Sequence, residues 1–188
     1  MGLDMYLTRK KYIGGNYKHN KVEGTIDISS RGKKIPIDLN KVTYIEENVG
    51  YWRKANQIHK WFVDHVQDGN DDCGDYYVST EDLEDLLNIC KEVDKKSILI
   101  DGKIKNGETL KNGEWIANYI DGKVIQNAEE ISKLLPTEDG FFFGCTDYDE
   151  YYLQEVKDTI EILEKILEEE KILNNKDIYS EFEYSASW

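Results

Sequence analysis

Residues 50–74, GYWRKANQIHKWFVDHVQDGNDDCG, crowd aromatic rings, cations, two histidines, a run of aspartates and a cysteine into one segment. Tyr51, Ala55, Ile58, Phe62 and Val66 fall at i, i+4, i+7, i+11 and i+15, a spacing that predicts a helix over about 49–67 with this stripe on the core. Asn48 is the expected N-cap and Gly69 lies just beyond the end. The adjoining face carries Trp52, Asn56, His59 and Val63, flanked by Arg53 and Lys60. An indole plane, an amide, an imidazole and neighbouring cations on one side are what a base and a phosphate require. We therefore take Trp52, Arg53, Lys54, Asn56 and His59 as candidate ligand-binding residues. The plainer alternative is that Trp52 packs in the core, that Arg53 and Lys54 are solvated, and that His59 and His65 are ordinary satisfied histidines.

Outward from this segment, MGLDMYLTRKKYI alternates loosely as an opening strand, followed by a GGNYKHN turn and a second strand in VEGTIDISS. KKIPIDLNKVTYIEE carries Pro36 and β-branched residues and is expected to be extended near its start. After YYVS, a short extended piece, Ser79 or Thr80 caps a helix over STEDLEDLLNICKEVDKK, with acids in its first turn and lysines in its last. Residues 98–127 hold DGK, NGE, NGE and DGK between short apolar runs, which predicts a hairpin-rich excursion. NAEEISKLL is a short helix stopped by Pro136, GFFFG a compact strand, and DEYYLQEVKDTIEILEKILEEEKIL the longest helix, destined for the core or for a second copy. The tail IYSEFEYSASW is a final strand. The fold class is α+β: a single domain, with a mixed or antiparallel sheet packed with about three main helices.

Composition bounds the function. A hydrophobic share of 39% with 12% aromatics is too apolar for disorder, and with 33% charged residues no apolar run approaches a membrane span. The N-terminus shows no signal peptide or myristoylation pattern, so a cytoplasmic protein is expected. The net charge is −14, yet residues 1–60 hold twelve Lys and Arg against six Asp and Glu, leaving +6 there and −20 in the remainder. A field this negative argues against binding a nucleic-acid polymer or an anionic membrane. It is compatible with a small anionic, nucleotide-like ligand in a local basic pocket.

The turn DGNDDCGD superficially resembles a calcium loop. Counted from Asp68, however, Cys73 and Ser79 stand where an EF-hand needs Gly and Glu, so neither a metal nor a cofactor is expected. A tight turn closed by Asx hydrogen bonds accounts for its aspartates more cheaply, although Asp72 and Tyr76 are kept as candidate ligand contacts. Cys73 would be a nucleophile only if His59 or His65 supplied a base, so Cys73 and His59 are minor catalytic suspects. Cys90, inside a helix, reads as a core residue. In GFFFGCTDYDEYY the three phenylalanines cannot share one strand face, so at least one turns toward a second layer; Phe142 is taken as a candidate ligand contact, the plainer alternative being that these rings close the core. Tyr148 and Tyr151 bring ring hydroxyls to a helix start, where backbone N–H groups favour anions.

The stretches MGLDMYL, VGYWRKANQIHKWFVDHVQDGNDDCG, LLPTEDGFFFGCTDYDEYY and YSASW together resemble a family of small bacteriophage and prophage proteins over most of the chain. The resemblance implies a phage or prophage source and brings no activity with it. From that source and the site chemistry together, the expected function is sequestration of a nucleotide-derived host immune signal, an ADP-ribose derivative or a cyclic dinucleotide, by an anti-defence sponge for which a homo-oligomer is an expected form. Two other readings stay open. One is an enzyme that hydrolyses or modifies such a nucleotide, the other an acidic interaction protein that binds a host protein.

Overall fold

The structure is a computed structural model that describes residues 2–13, 26–111, 113–140 and 142–188. Its chain begins with β1 (Asp4–Tyr12), in which Met5 and Leu7 point inward while Tyr6, Thr8 and Lys10 are more open, the period-two pattern of a half-buried strand. A small hairpin follows, β2 (Ile28–Ser30) paired with β3 (Lys33–Ile35), then a single 3-10 turn at Leu39–Lys41. The expected GGNYKHN turn and the start of the VEGTIDISS strand lie outside the described residues.

The next element corrects the sequence expectation. Residues 49–53 are not the start of a helix but the second half of β4 (Tyr44–Arg53), antiparallel to β1 along its length, with Met5 facing Trp52. Only the second half of the expected helix exists, as α1 (Asn56–His65). Its N-cap position is Ala55, which offers no side-chain cap, so Asn48 plays no such part. The apparent stripe mixed two periods. Ala55, Ile58 and Phe62 are buried on α1, whereas Tyr51 is exposed on β4 and its neighbour Trp52 is buried. Lys54, at φ 62° in the left-handed region, makes the break between strand and helix.

β5 (Tyr76–Val78) leads into α2 (Thr80–Lys96), whose start is a full capping box: Ser79 Oγ accepts from the Asp82 amide while Asp82 accepts from the Ser79 amide. A long hairpin, β6 (Leu99–Lys111) with β7 (Glu114–Ile125), occupies the excursion foreseen for residues 98–127. Then come α3 (Ala128–Leu134), α4 (Glu150–Asn174) and the closing strand β8 (Ser180–Ser187). The described part of GFFFG forms no strand. Phe143 is buried and donates its amide to the Gly140 carbonyl, a turn, while Phe142 sits at φ 73°.

Among the described residues the main sheet runs β4-β1-β8-β5, antiparallel throughout, confirming the α+β class. One face is apolar: Leu3, Met5, Leu7, Trp52, Val78, Phe182, Tyr184 and Ala186 enter a core completed by α1, α2 and α4. The other face is polar, with Lys10 paired to Glu183 across β1 and β8. α4 buries Leu153, Val156, Leu163, Ile166 and Leu167 and packs along α2, so most of its apolar stripe docks on the core, while Ile172 stays exposed. Phe62 and Tyr184 stack at 3.9 Å between ring centroids, joining α1 to β8. No helix among the described residues is long and apolar enough to cross a membrane.

Candidate functional site

The residues expected to form one face of a helix are distributed by this fold into three environments. Trp52 is in the core. Only 4% of it is exposed, its ring folds back over Gly50, where an added Cβ would meet the indole at 2.8 Å, and its Nε1 donates to Thr159 Oγ1 at 3.0 Å. Thr159 Oγ1 passes the chain on by donating to the Glu155 carbonyl at 2.7 Å. With both faces and its N–H occupied, Trp52 stacks no ligand, which corrects the first of the candidate assignments. Asn56 is likewise spent. Its Nδ2 donates to the carbonyls of Phe143 and Cys145, at 3.3 and 2.8 Å, and its Oδ1 accepts from the Glu138 amide at 3.1 Å. One buried amide thus holds the loop 138–145 in place, in agreement with the rule that buried polar groups find partners.

That loop builds the candidate site. Gly144, at φ 105°, lies against Lys54, where a Cβ would sit 3.0 Å from the Lys54 carbonyl oxygen. Leu3 donates its amide to the Phe142 carbonyl, and the Lys54 amide donates to the Leu3 carbonyl. The strand turn at Lys54 and the loop therefore abut, and together with β6 and β7 they enclose an open cleft of about 600 Å³. Its lining includes Lys54, Lys105, Glu108, Trp115 and Phe142. Trp115 keeps 67% of its surface exposed, so its indole is available to a flat ligand, and Phe142 borders it in the cleft. Lys105 pairs with Glu108 at 2.7 Å, which raises its pKa, whereas the Lys54 ammonium has no ion-pair partner among the described residues. A net positive lining in a protein of net charge −14 is a local reversal of sign.

Of the sequence candidates, then, Lys54 and Phe142 meet in the cleft and Asn56 supports it from behind. Arg53 is exposed beside them, its Nε 3.7 Å from Asp4. Trp115 and Lys105 went unnoticed in the sequence. The available signal was an indole set between turn motifs, in NGEWIAN, where no core period claims it.

The other candidates lie elsewhere. Asp72 Oδ1 accepts from the Gly74 amide and from the Tyr76 hydroxyl, both at 2.9 Å, and Asn70 donates to Oδ2 at 2.7 Å. The hydrogen bond from Tyr76, foremost among these, lowers the Asp72 pKa. This closed Asx turn engages both residues with each other and accounts for them without a ligand. Tyr148 accepts from the Thr137 amide and lies 4.8 Å from the Tyr152 ring, a structural role. Tyr151 is exposed at the start of α4, but Asp149 already fills that helix terminus, accepting from the amides of Tyr151 and Tyr152. Burial raises the Asp149 pKa, and the two backbone donors oppose that rise.

The catalytic suspects are separated as well. His59 Nδ1 is 2.8 Å from the Tyr184 hydroxyl and its ring is 1% exposed, while His65 stacks on Trp61 and bonds the Trp61 carbonyl. Among the described residues neither imidazole contacts Cys73, which is exposed in the left-handed region at φ 57°. Cys90 is buried and its pKa is pushed up to about 12 by desolvation, consistent with the core role read from the sequence. No protein-family model matches this chain, and neither the curated proteins nor the solved structures yield a match.

Proposed function

We propose that this protein binds a small anionic ligand bearing a flat ring, a nucleotide derivative, in the cleft between the 138–145 loop and the β6–β7 hairpin. The observation that carries this reading is the meeting of the Lys54 ammonium, without an ion-pair partner among the described residues, with the exposed indole of Trp115 on a scaffold otherwise dominated by acids. Stacking of a base on an aromatic side chain contributes about 1–3 kcal/mol, and an ammonium beside a phosphate adds charge-assisted hydrogen bonds. The sequence resemblance to phage proteins narrows the ligand class: the protein would sequester a host immune signal, an ADP-ribose derivative or a cyclic dinucleotide, and return it chemically unchanged. A phage product acting in this way works in the host cytoplasm.

Incubation with ADP-ribose and with a cyclic dinucleotide, followed by filtration and heat denaturation, tests the proposal. Depletion of free ligand and recovery of the same molecule after heating is the expected result. Recovery of an altered molecule would identify an enzyme. An absence of depletion across the nucleotide panel would instead favour an acidic surface that docks a host protein.

A further inference from the structure

Trp115, Ile116, Tyr119 and Ile120 of β7 are all exposed. Trp115 and Tyr119 lie on one face of the β6–β7 ribbon, Ile116 and Ile120 on the other, as the period of a strand requires. A neighbour lying on one face covers one pair only, whereas a strand added at the edge extends both faces at once.

That edge is open. The Ile125 amide donates to the Tyr148 carbonyl and the Lys123 amide to Glu150 Oε1 at 3.2 Å, both on the side of β7 away from β6. Backbone groups alternate sides along a strand, so the odd-numbered residues of β7 turn their N–H and C=O outward. The bulge between Lys105 and Glu108 sits in β6, where two residues oppose Asn118 alone, and leaves the alternation of β7 intact. Among the described residues, no backbone partner outside the ribbon takes the outward groups of Trp115, Ala117, Tyr119 and Asp121. Natural sheet edges are blunted by lysines, prolines, bulges or shortness. β4 has a bulge opposite Leu7 and Thr8 and the acids Glu46 and Glu47, β6 has its bulge with Lys103, Lys105 and Lys111, and β5 is a single short strand, Tyr76–Val78. Residues 114–122 of β7, EWIANYIDG, hold no lysine, proline or bulge.

The charge of the ribbon suits a copy of the same chain. Across residues 99–125, Lys103, Lys105, Lys111 and Lys123 balance Asp101, Glu108, Glu114 and Asp121, so the ribbon is neutral on a chain of net charge −14. Two copies meet there without the repulsion that the acidic remainder would impose.

We propose that a second copy of this chain adds to the open edge of β7, antiparallel about a two-fold axis at Asn118, so that the two ribbons form one four-stranded sheet. A two-fold axis must set outward residue against outward residue, and only the register centred on Asn118 engages all four. Trp115 then faces Asp121 of the second copy, and Ala117 faces Tyr119 of the second copy, each twice over, for about eight interchain hydrogen bonds. On one face Ile116 meets Ile120 of the second copy. On the other Tyr119 sits opposite Ala117 with Trp115 at the diagonal, and such aromatic and β-branched pairs stabilise a sheet. Asp121, already paired with Lys103 at 2.6 Å, sets no free charge against Trp115. The dimer stands apart from the ligand of the cleft and forms without nucleotide.

Sedimentation equilibrium of the full chain without nucleotide tests this, with Ala117→Pro and Ile120→Lys beside the wild type. Proline at an outward position removes a donor from the edge and none from the β6 ladder. The expected result is a reversible dimer whose dissociation constant rises at least tenfold in both variants, with far-UV circular dichroism unchanged. Should the proline disturb the fold, Ile120→Lys carries the test alone. The register has its own readout in a Cys73→Ser, Cys145→Ser background. Residues on the axis face each other as a non-hydrogen-bonded pair, with Cα atoms about 4.5 Å apart, within the range of a disulfide. Asn118→Cys should therefore crosslink two chains on air oxidation, and Ile116→Cys should not. The proposal is overturned if the wild type sediments as a monomer throughout, if Ile120→Lys dimerises as the wild type does, or if a dimer forms in which Asn118→Cys fails to crosslink.

Discussion

Glu155 is a carboxyl largely withdrawn from water, accepting from Gln57 Nε2 at 2.8 Å, and desolvation pushes its pKa up to about 7 from an ordinary 4.5. Because the folded state holds this proton more tightly than the unfolded chain, stability falls as pH rises from about 4.5 to 7 and carries the full penalty above that window. The shift corresponds to at most about 3 kcal/mol. Glu155→Gln should therefore raise the unfolding free energy at pH 8 and leave it unchanged at pH 4, as urea titrations at the two pH values would show. An equal gain at both would assign the effect to packing. Two tryptophans make a second contrast at this scale. Trp52→Ala empties a core position and breaks the bond to Thr159, and should cost about 3–5 kcal/mol. Trp115→Ala removes an exposed ring and should change stability by no more than about 0.5 kcal/mol, while weakening nucleotide retention. Thermal melts and ligand depletion on the two variants separate these roles. The sequence held Trp52 evenly between core and ligand, since an indole beside cations suits either. Only the pairing of β4 with β1, which turns Trp52 inward and Tyr51 outward, decides between them.

Among the elements, α2, α4 and β8 were legible because local signals agreed with the fold. Ser79 is the expected cap and closes a capping box with Asp82, α4 keeps its apolar residues three and four apart, and the tail alternates. β4 and the start of α1 were not. YIEENVGYWR has a weak period of its own, and the helical spacing from Tyr51 to Val66 spans a strand, a left-handed Lys54 and a true helix. Strand pairing between residues about 40 apart overrode it. GFFFG, residues 140–144, reads as a strand for a related reason, because a run of phenylalanines carries no information about the Asn56 amide that fixes the carbonyls of Phe143 and Cys145. Gly144→Ala tests that loop. A side chain in the left-handed region, with its Cβ 3.0 Å from the Lys54 carbonyl, must displace the wall of the cleft. A stability loss of about 1–3 kcal/mol is expected, accompanied by weaker nucleotide binding in a depletion assay. The β6–β7 hairpin is a two-stranded ribbon whose base is tied down by bonds from the Ile125 amide to the Tyr148 carbonyl and from the Lys123 amide to Glu150. Ribbons of two strands are marginal alone. Amide exchange should therefore be slowest near Leu99 and Ile125 and fastest near Lys111 and Glu114, placing Trp115 on the more yielding end.

At the scale of the whole molecule, the basic first third supplies cations to two cavities, Lys54 to the open cleft and Lys60 to a second one of about 310 Å³ beside His59, and only the second sets four carboxylates against its cation. Lys54 from the basic part faces the open cleft with Lys105, and Asp64, Asp71, Glu138 and Asp139 face the second cavity. One loop, 138–145, borders both, with Glu138 and Asp139 toward the second cavity and Phe142 toward the cleft. What the charge count alone did not reveal is that β6 and β7 supply an exposed indole and a lysine to the cleft from the acidic part of the chain. The central claim is that the cleft binds an anionic ligand with a flat ring. Calorimetric titration of ADP-ribose and of a cyclic dinucleotide into the wild type, Lys54→Glu and Trp115→Ala tests it most directly. The account predicts one-to-one binding of at least one of these ligands by the wild type, weakened tenfold or more in each variant while both variants melt as the wild type does. Equal affinity in all three proteins, or no heat of binding with either nucleotide, would contradict it.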